Sequence, residues 1–230
     1  MTQDATASPD LQRPLIIFGE TSLASLAAHC LQHDAGRRVL AFTVDRAYLG
    51  SGSMDGLPVL PFEDLPRHVP PGQCELLITL GYRRMNGLRE ERCVQAQAMG
   101  YALGSFVSRY ARVWPDTPIG ENVMVFEQAI LQSHVRIGRN VIVRAGANIG
   151  HHSSIGDHSF IASGVVTGGN VAIGRNCFIG LGAVIRDGIR IGDRCFIGAG
   201  AVVTADTEAD AVYVGNPARR AAKTALEVTR

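Results

Sequence analysis

From Ile119 onward, every sixth residue of this chain is aliphatic. The column reads Ile119, Val125, Leu131, Ile137, Val143, Ile149, Ile155, Ile161, Thr167, Ile173, Ile179, Ile185, Ile191, Ile197 and Val203, and only Thr167 departs from it. Glycine follows the aliphatic position repeatedly, as at Gly138, Gly150, Gly156, Gly168 and Gly192. Two residues before it the chain is small or β-branched, from Ala129 through Ser153 and Ser159 to Cys177 and Ala183. An α-helix repeats every 3.6 residues or so and has no use for this period. Alternation by two makes strands, and a reset every six makes a turn in which glycine lets neighbouring segments crowd together. Three such sides make a coil, and coils stack at about 4.8 Å, the strand-to-strand spacing. The pattern predicts a hexapeptide parallel β-helix, with the aliphatic column filling its interior. The period does not fix the hand of the coil.

The N-terminal third has a different rhythm. "PLIIFGE" (14–20) is a short apolar strand ending in glycine. "TSLASLAAHCLQHDAG" (21–36) has helical periodicity, with Thr21 or Ser22 as cap and Gly36 as stop. Strands follow at 37–45, 74–82 and 102–108, with a helix at 86–100. The proline-rich "DGLPVLPFEDLPRHVPPG" (55–72) reads as a rigid connection holding a strand near Val59 and a helical turn near Asp64. Strand, helix, strand with short links is the βαβ pattern of a parallel sheet. Ligands of such sheets bind beyond the carboxyl ends of the strands. That rule gathers Phe18, Gly19, Asp45, Gly81 and Tyr82 around one crevice. The loop "FGETSLA" has only Gly19, too few glycines for a full dinucleotide site. A smaller nucleotide-like ligand and a plain packing module both remain open. The expected organisation is a loose terminus (1–13), an α/β domain (14–108), the β-helix (109–206) and a C-terminal cap (207–230).

Composition narrows the class. The formal net charge is +1, so nothing steers the chain toward nucleic acid or an anionic membrane. No apolar run is long enough for a transmembrane helix, and membrane insertion is not expected. Five scattered cysteines with no CxxC suggest free thiols in a reducing compartment, hence a cytoplasmic location.

The chemistry concentrates in "NIGHHSSIGD" (148–157). Counting by eighteen stacks His134 beneath His152 and Ser133 beneath His151, with Gly169 and Asn170 on the next coil. Gly168 and Gly169 would leave the corner open above the histidines. The cluster admits a catalytic base, part of a metal site, or surface histidines without chemistry; histidine's titration near neutrality favours the base. Zinc would want three or four ligands, and no third is evident beside His134 and His152. His158 is expected on another part of the coil as a solvated turn residue. Because a β-helix corner is convex, a neighbouring subunit is expected to supply the other wall of a pocket.

The repeat, the "GHHSSIGD" corner and the closing "GNPA" (215–218) together resemble the hexapeptide-repeat sugar acetyltransferases related to sialic acid O-acetyltransferase and the bacillosamine-pathway N-acetyltransferases. That resemblance implies a left-handed parallel β-helix preceded by a small Rossmann-like domain, a homotrimer with sites between subunits, and acetyl-CoA as co-substrate. The left hand runs against the general preference for right-handed crossovers. The resemblance also implies that His151 is the general base and that His152 stands where the family commonly has Asp or Glu. It further places Gly168, Gly169 and His134 beside acetyl-CoA. A nucleotide-linked sugar would meet Gly19, Asp45 and Tyr82. The reaction implied is direct acetyl transfer to a sugar amine for surface polysaccharide synthesis, or to a sugar hydroxyl. A zinc-dependent β-helix hydratase and a non-catalytic scaffold are the competing readings.

Overall fold

The computed structural model describes residues 13–230. The expected loose terminus therefore lies, save for Arg13, outside the described residues. The chain separates into two compact units, residues up to Thr79 with Val94–Gly104, and Leu80–Cys93 with Ser105–Arg230.

In the first unit, β1 (Leu15–Phe18), β2 (Val39–Val44), β3 (Ser53–Met54), β4 (Leu57–Pro61), β5 (Glu75–Ile78) and β6 (Ala102–Leu103) form one sheet in the order β3-β4-β2-β1-β5-β6. All its pairings are parallel except the β3–β4 hairpin. Strand β1 is wholly buried because it lies at the centre. Helix α1 (Ser22–His33) links β1 to β2 and is capped by the Thr21 hydroxyl, which accepts from the Ala24 N–H. A short helix, α2 (Leu65–His68), and the strand at Val59 match the expected content of the proline-rich connection. Helix α3 (Gly87–Ala98) is divided, its residues up to Cys93 belonging to the second unit and those from Val94 to the first.

The second unit is a parallel β-helix. Two-residue strands recur every six residues and pair with the strand eighteen residues on, as in Ile130↔Asn148, Arg136↔Ser154 and Ile142↔Phe160. Three parallel sheets result. The aliphatic column from Val125 to Val203 fills the interior with the small column beside it. Ile119 does not belong to that interior; it is exposed.

The expected single strand 102–108 is two strands in different sheets. Ala102–Leu103 pairs with β5, whereas Phe106–Val107 pairs with Met124–Val125 of the coil. The break is at Gly104, where a Cβ would sit 2.5 Å from Leu15 Cδ2. Ser105 then behaves as a coil residue: its hydroxyl donates to Gly120 O and accepts from Val123 N. Ser159 uses its hydroxyl in the same way, donating to Gly174 O and accepting from Cys177 N. The coil thus starts before Ile119, with Val107 and Val113 in the inner column.

At the other end the repeat gives way to a hairpin, Ala211–Val214 with Arg219–Thr224. Its first strand pairs with Phe196–Ile197 and so covers an edge that would otherwise be open. A final helical turn, α4 (Ala225–Val228), carries a capping box between Thr224 and Glu227.

Candidate active site

The turns of the coil impose a backbone requirement that governs the histidines. One residue in each turn adopts positive φ, three places before the aliphatic position. The series includes Asn122, His134, Asn140, His152, His158 and Asn170, interspersed with glycines such as Gly146 and Gly164. Left-handed backbone disfavours most side chains, and Asn, Asp and His tolerate it better than others. His134 (φ 62°), His152 (φ 58°) and His158 (φ 64°) all satisfy this demand. His151 does not stand in this column, so backbone conformation does not account for it. The sequence carries this signal as Gly and Asn recurring at this place in the repeat.

The backbone of the histidine pair is held from neighbouring coils. His152 N–H donates to Ser133 O, and His151 O accepts from Asn170 N–H. The His151 N–H donates to Gln132 Oε1, and the Gln132 amide donates to Asn148 Oδ1. The two rings meet edge to face, with Nδ1 of His151 3.1 Å from Nδ1 of His152. One of these nitrogens donates and the other accepts. Nε2 of His151 takes no hydrogen bond from any described residue. The ring packs over Gly169, where a Cβ would fall 2.4 Å from Cε1 of His151. Below, the His134 ring lies 4.5 Å from that of His152, and its Nδ1 is 3.0 Å from Asp116 Oδ2.

Thr167, the one break in the aliphatic column, belongs to this corner. It is nearly buried, and its hydroxyl accepts the Gly150 N–H at 2.9 Å, immediately before His151. At most other turns the corresponding N–H goes to a main-chain carbonyl of the next coil, as Gly138 N–H does to Ile155 O; Gly192, whose N–H goes to Thr207 Oγ1 near the end of the coil, shares the threonine arrangement. Here the ladder keeps only the Asn148↔Val166 pair. Thr167→Val completes the aliphatic column but leaves the Gly150 N–H without its acceptor, at a cost of about 1–3 kcal/mol. The expected result is a lower Tm, faster hydrogen exchange at Gly150 and slower turnover; a stabilised variant would make Thr167 a mere irregularity.

The remaining expected site residues divide. Gly168 has a packing reason: a Cβ there would meet Asp187 N at 2.6 Å on the next coil. Gly19 (φ 134°) follows β1 and lies against Thr79, while Asp45 follows β2, so both stand at the carboxyl edge of the first unit's sheet. Gly81 and Tyr82 belong to the second unit. There Tyr82 stacks on Phe178 at 4.0 Å, over a ladder of Phe160, Phe178 and Phe196. Arg144 rests over the Phe126 ring at 4.4 Å. Cys177 and Cys195 are fully buried, and burial pushes their thiols up to about 12 and about 11, so neither is a nucleophile. Among the described residues, no three His, Cys, Asp or Glu side chains converge as metal ligands.

His158 corrects an expectation. It is buried, not a solvated turn residue. Its Nδ1 lies 2.8 Å from the Asn140 amide, and Nε2 is 3.4 Å from Glu90 Oε1, too poorly aligned for a hydrogen bond. Asn86, at the start of the expected helix 86–100, is buried too and donates to Cys177 O. Periodicity places His158 at a turn but does not show that residues 80–93 lie over it. Burial holds the His158 pKa below 6.5, against the raising effect of Glu90 and Asp157; Arg89 and Arg139 add to the lowering. The unfolded chain then binds a proton that the folded chain refuses. Stability is full above the unfolded pKa and is lost as pH falls from about 6.5 through the folded value. Tm is expected to drop between pH 7 and pH 5, and His158→Asn, which suits the left-handed backbone, should flatten that drop.

Comparison with known proteins bears on this corner. The family model for the bacterial transferase hexapeptide (six repeats) matches residues 116–151, 134–169 and 152–186, and that for the hexapeptide repeat of succinyl-transferase matches 170–205. A search of curated proteins by sequence gave no match. Among solved structures, a mutant perosamine N-acetyltransferase from Caulobacter crescentus, in complex with CoA and GDP-perosamine, is 25% identical with a TM-score of 0.84. The alignment covers 91% of this chain and 97% of that one. The acetyltransferase domain of PglB from Neisseria gonorrhoeae is 27% identical, with a TM-score of 0.83 and coverage of 91% and 100%. The same domain has been solved in complex with acetyl coenzyme A, at 26% identity, a TM-score of 0.82 and the same coverage.

Proposed function

We infer that this chain, a hexapeptide-repeat protein with the fold of the sugar N-acetyltransferases, is itself an acetyl-CoA-dependent acetyltransferase. Its acceptor is the amino group of a nucleotide-linked amino sugar. The observation that carries the assignment is the His151 imidazole, anchored through Nδ1, seated over Gly169 and free at Nε2. Solved neighbours that span nearly the same length hold CoA and GDP-perosamine, or acetyl coenzyme A.

With His151 protonated at Nδ1 and donating to His152, Nε2 is the acceptor. The sugar nitrogen attacks the thioester carbonyl carbon and gives its proton to Nε2. The carbon–sulfur bond then breaks, and the CoA thiolate leaves with that proton. Holding both substrates against one stiff turn supplies orientation. The Gly169 main-chain N–H is the donor we assign to the developing oxyanion, because those of Gly168 and Asn170 are taken by Ile185 O and His151 O. The buried cysteines leave no acyl-enzyme step.

The left-handed coil, a Rossmann-like nucleotide-binding first unit and a cytoplasmic homotrimer with sites between subunits belong to the same reading. Gly19 and Asp45 are assigned to the nucleotide. Val166 and Val184, paired on adjacent coils, and Leu181 are exposed aliphatic residues on the second unit, which suits association. Carbon-labelled acetyl-CoA distinguishes the acceptors. An amide in the product spectrum supports amine acetylation, and an ester moves the enzyme to hydroxyl acetylation.

A further inference from the structure

The Nδ1 contact holds His151 only as firmly as His152 is itself held, because the ring torsion of an imidazole is broad and twofold. The structure gives it a second support. Asp116, His134 and His152 follow one another at eighteen-residue spacing. Asp116 Oδ2 accepts from the His134 backbone N–H and lies 3.0 Å from His134 Nδ1, pinning that residue at two points. The fixed His134 ring lies against His152 at 4.5 Å. His152 in turn meets His151 through Nδ1.

We propose that Asp116 and His134 are positioning residues for acetyl transfer: a carboxylate two rings removed fixes His152, which fixes the tautomer and plane of His151. The proposal rests on His151 being the base. It changes the role expected of His134, from contact with acetyl-CoA to support of the base.

A simpler role has to be separated from this one. Carboxylates cap backbone N–H groups elsewhere on the coil, Asp157 for Arg139 and Asp193 for Arg175. Asp116 could be one more such cap. Asp157 also meets the side chain of the residue it caps, Arg139 Nε at 3.5 Å, so what distinguishes Asp116 is that its second contact is to a ring packed against His152, which leads to His151. Asp116→Asn keeps an acceptor oxygen for the backbone, and His134→Asn keeps a residue that tolerates left-handed φ.

The test compares Asp116→Asn, His134→Asn, His152→Asn and the His134→Asn/His152→Asn double variant of the full chain. Kinetics are combined with nitrogen NMR of labelled histidine, the resonances assigned from His151→Asn and His152→Asn. The expected result is a fall of about tenfold in kcat for Asp116→Asn and His134→Asn, with KM for acetyl-CoA and Tm little changed. On the His152→Asn background, His134→Asn should cost nothing further. His151 should appear as the Nδ1–H tautomer in the wild type and as a mixture in His134→Asn. Three results would each overturn the proposal: an equal cost of His134→Asn on both backgrounds, a rise in KM for acetyl-CoA alone, or an unchanged His151 tautomer. If the wild type transfers no acetyl group, the proposed function fails, and the nitrogen spectrum still decides whether His134 governs His151.

Discussion

His151→Asn is expected to lower kcat by about a thousandfold, the range in which a positioned general base contributes. KM for acetyl-CoA should change little, because the imidazole is assigned to the proton of the acceptor and not to holding the donor. The residue is exposed and lies outside the left-handed column, so Tm should stay within about 2 °C of the wild type. Steady-state thiol release with thermal unfolding on the same samples checks all three. A kcat within tenfold of the wild type would remove His151 from the proton transfer and leave the corner without a base.

The largest expected effect on stability lies at Arg89. Its side chain is wholly buried, and its guanidinium donates from every nitrogen. Nε reaches Asn140 Oδ1, Nη1 reaches Asn86 Oδ1 and the carbonyl of Leu80, and Nη2 reaches the carbonyls of His158 and Asn140. It thereby ties the start of α3 to two successive turns of the coil. Burial lowers its pKa to about 10, which still leaves it charged at neutral pH. Arg89→Met matches much of the volume and removes every donor, stranding several buried acceptors. Each stranded acceptor costs about 1–3 kcal/mol, so the expected loss is about 3–5 kcal/mol, a fall in Tm of roughly 10 °C. Denaturant unfolding checks it, and a loss below about 1 kcal/mol would mean that water or relaxation satisfies those acceptors.

The coil was legible because each of its features repeats. Val125, Leu131 and Ile137 fix a period, and the period fixes pairing eighteen residues apart. Where the code continued with weaker letters it was missed: Ser105, Val107 and Val113 carry it ahead of Ile119, but Gly104 hid the start inside what reads as one strand. The His151–His152 pair was visible because two adjacent histidines interrupt a simple repeat. Asp116 was not, because it precedes the aliphatic column that begins at Ile119, and only the geometry gives it the His134 ring as partner. Thr167 stood out as a defect, and only the geometry gives it the Gly150 N–H as partner. Arg89, Glu90 and Asn86 read as an ordinary helix start. Their importance comes from contacts such as Asn176 Nδ2 to Glu90 Oε2, which join residues 86 apart in sequence.

The central claim is acetyl transfer from acetyl-CoA to a nucleotide-linked amino sugar. Its most direct test is thiol release by the wild-type protein with acetyl-CoA and a panel of nucleotide-linked 4-amino sugars. The predicted result is thiol released in equal amount to acetylated sugar, and only when both substrates are present. No release across the panel, with no binding of acetyl-CoA by calorimetry, would contradict the claim.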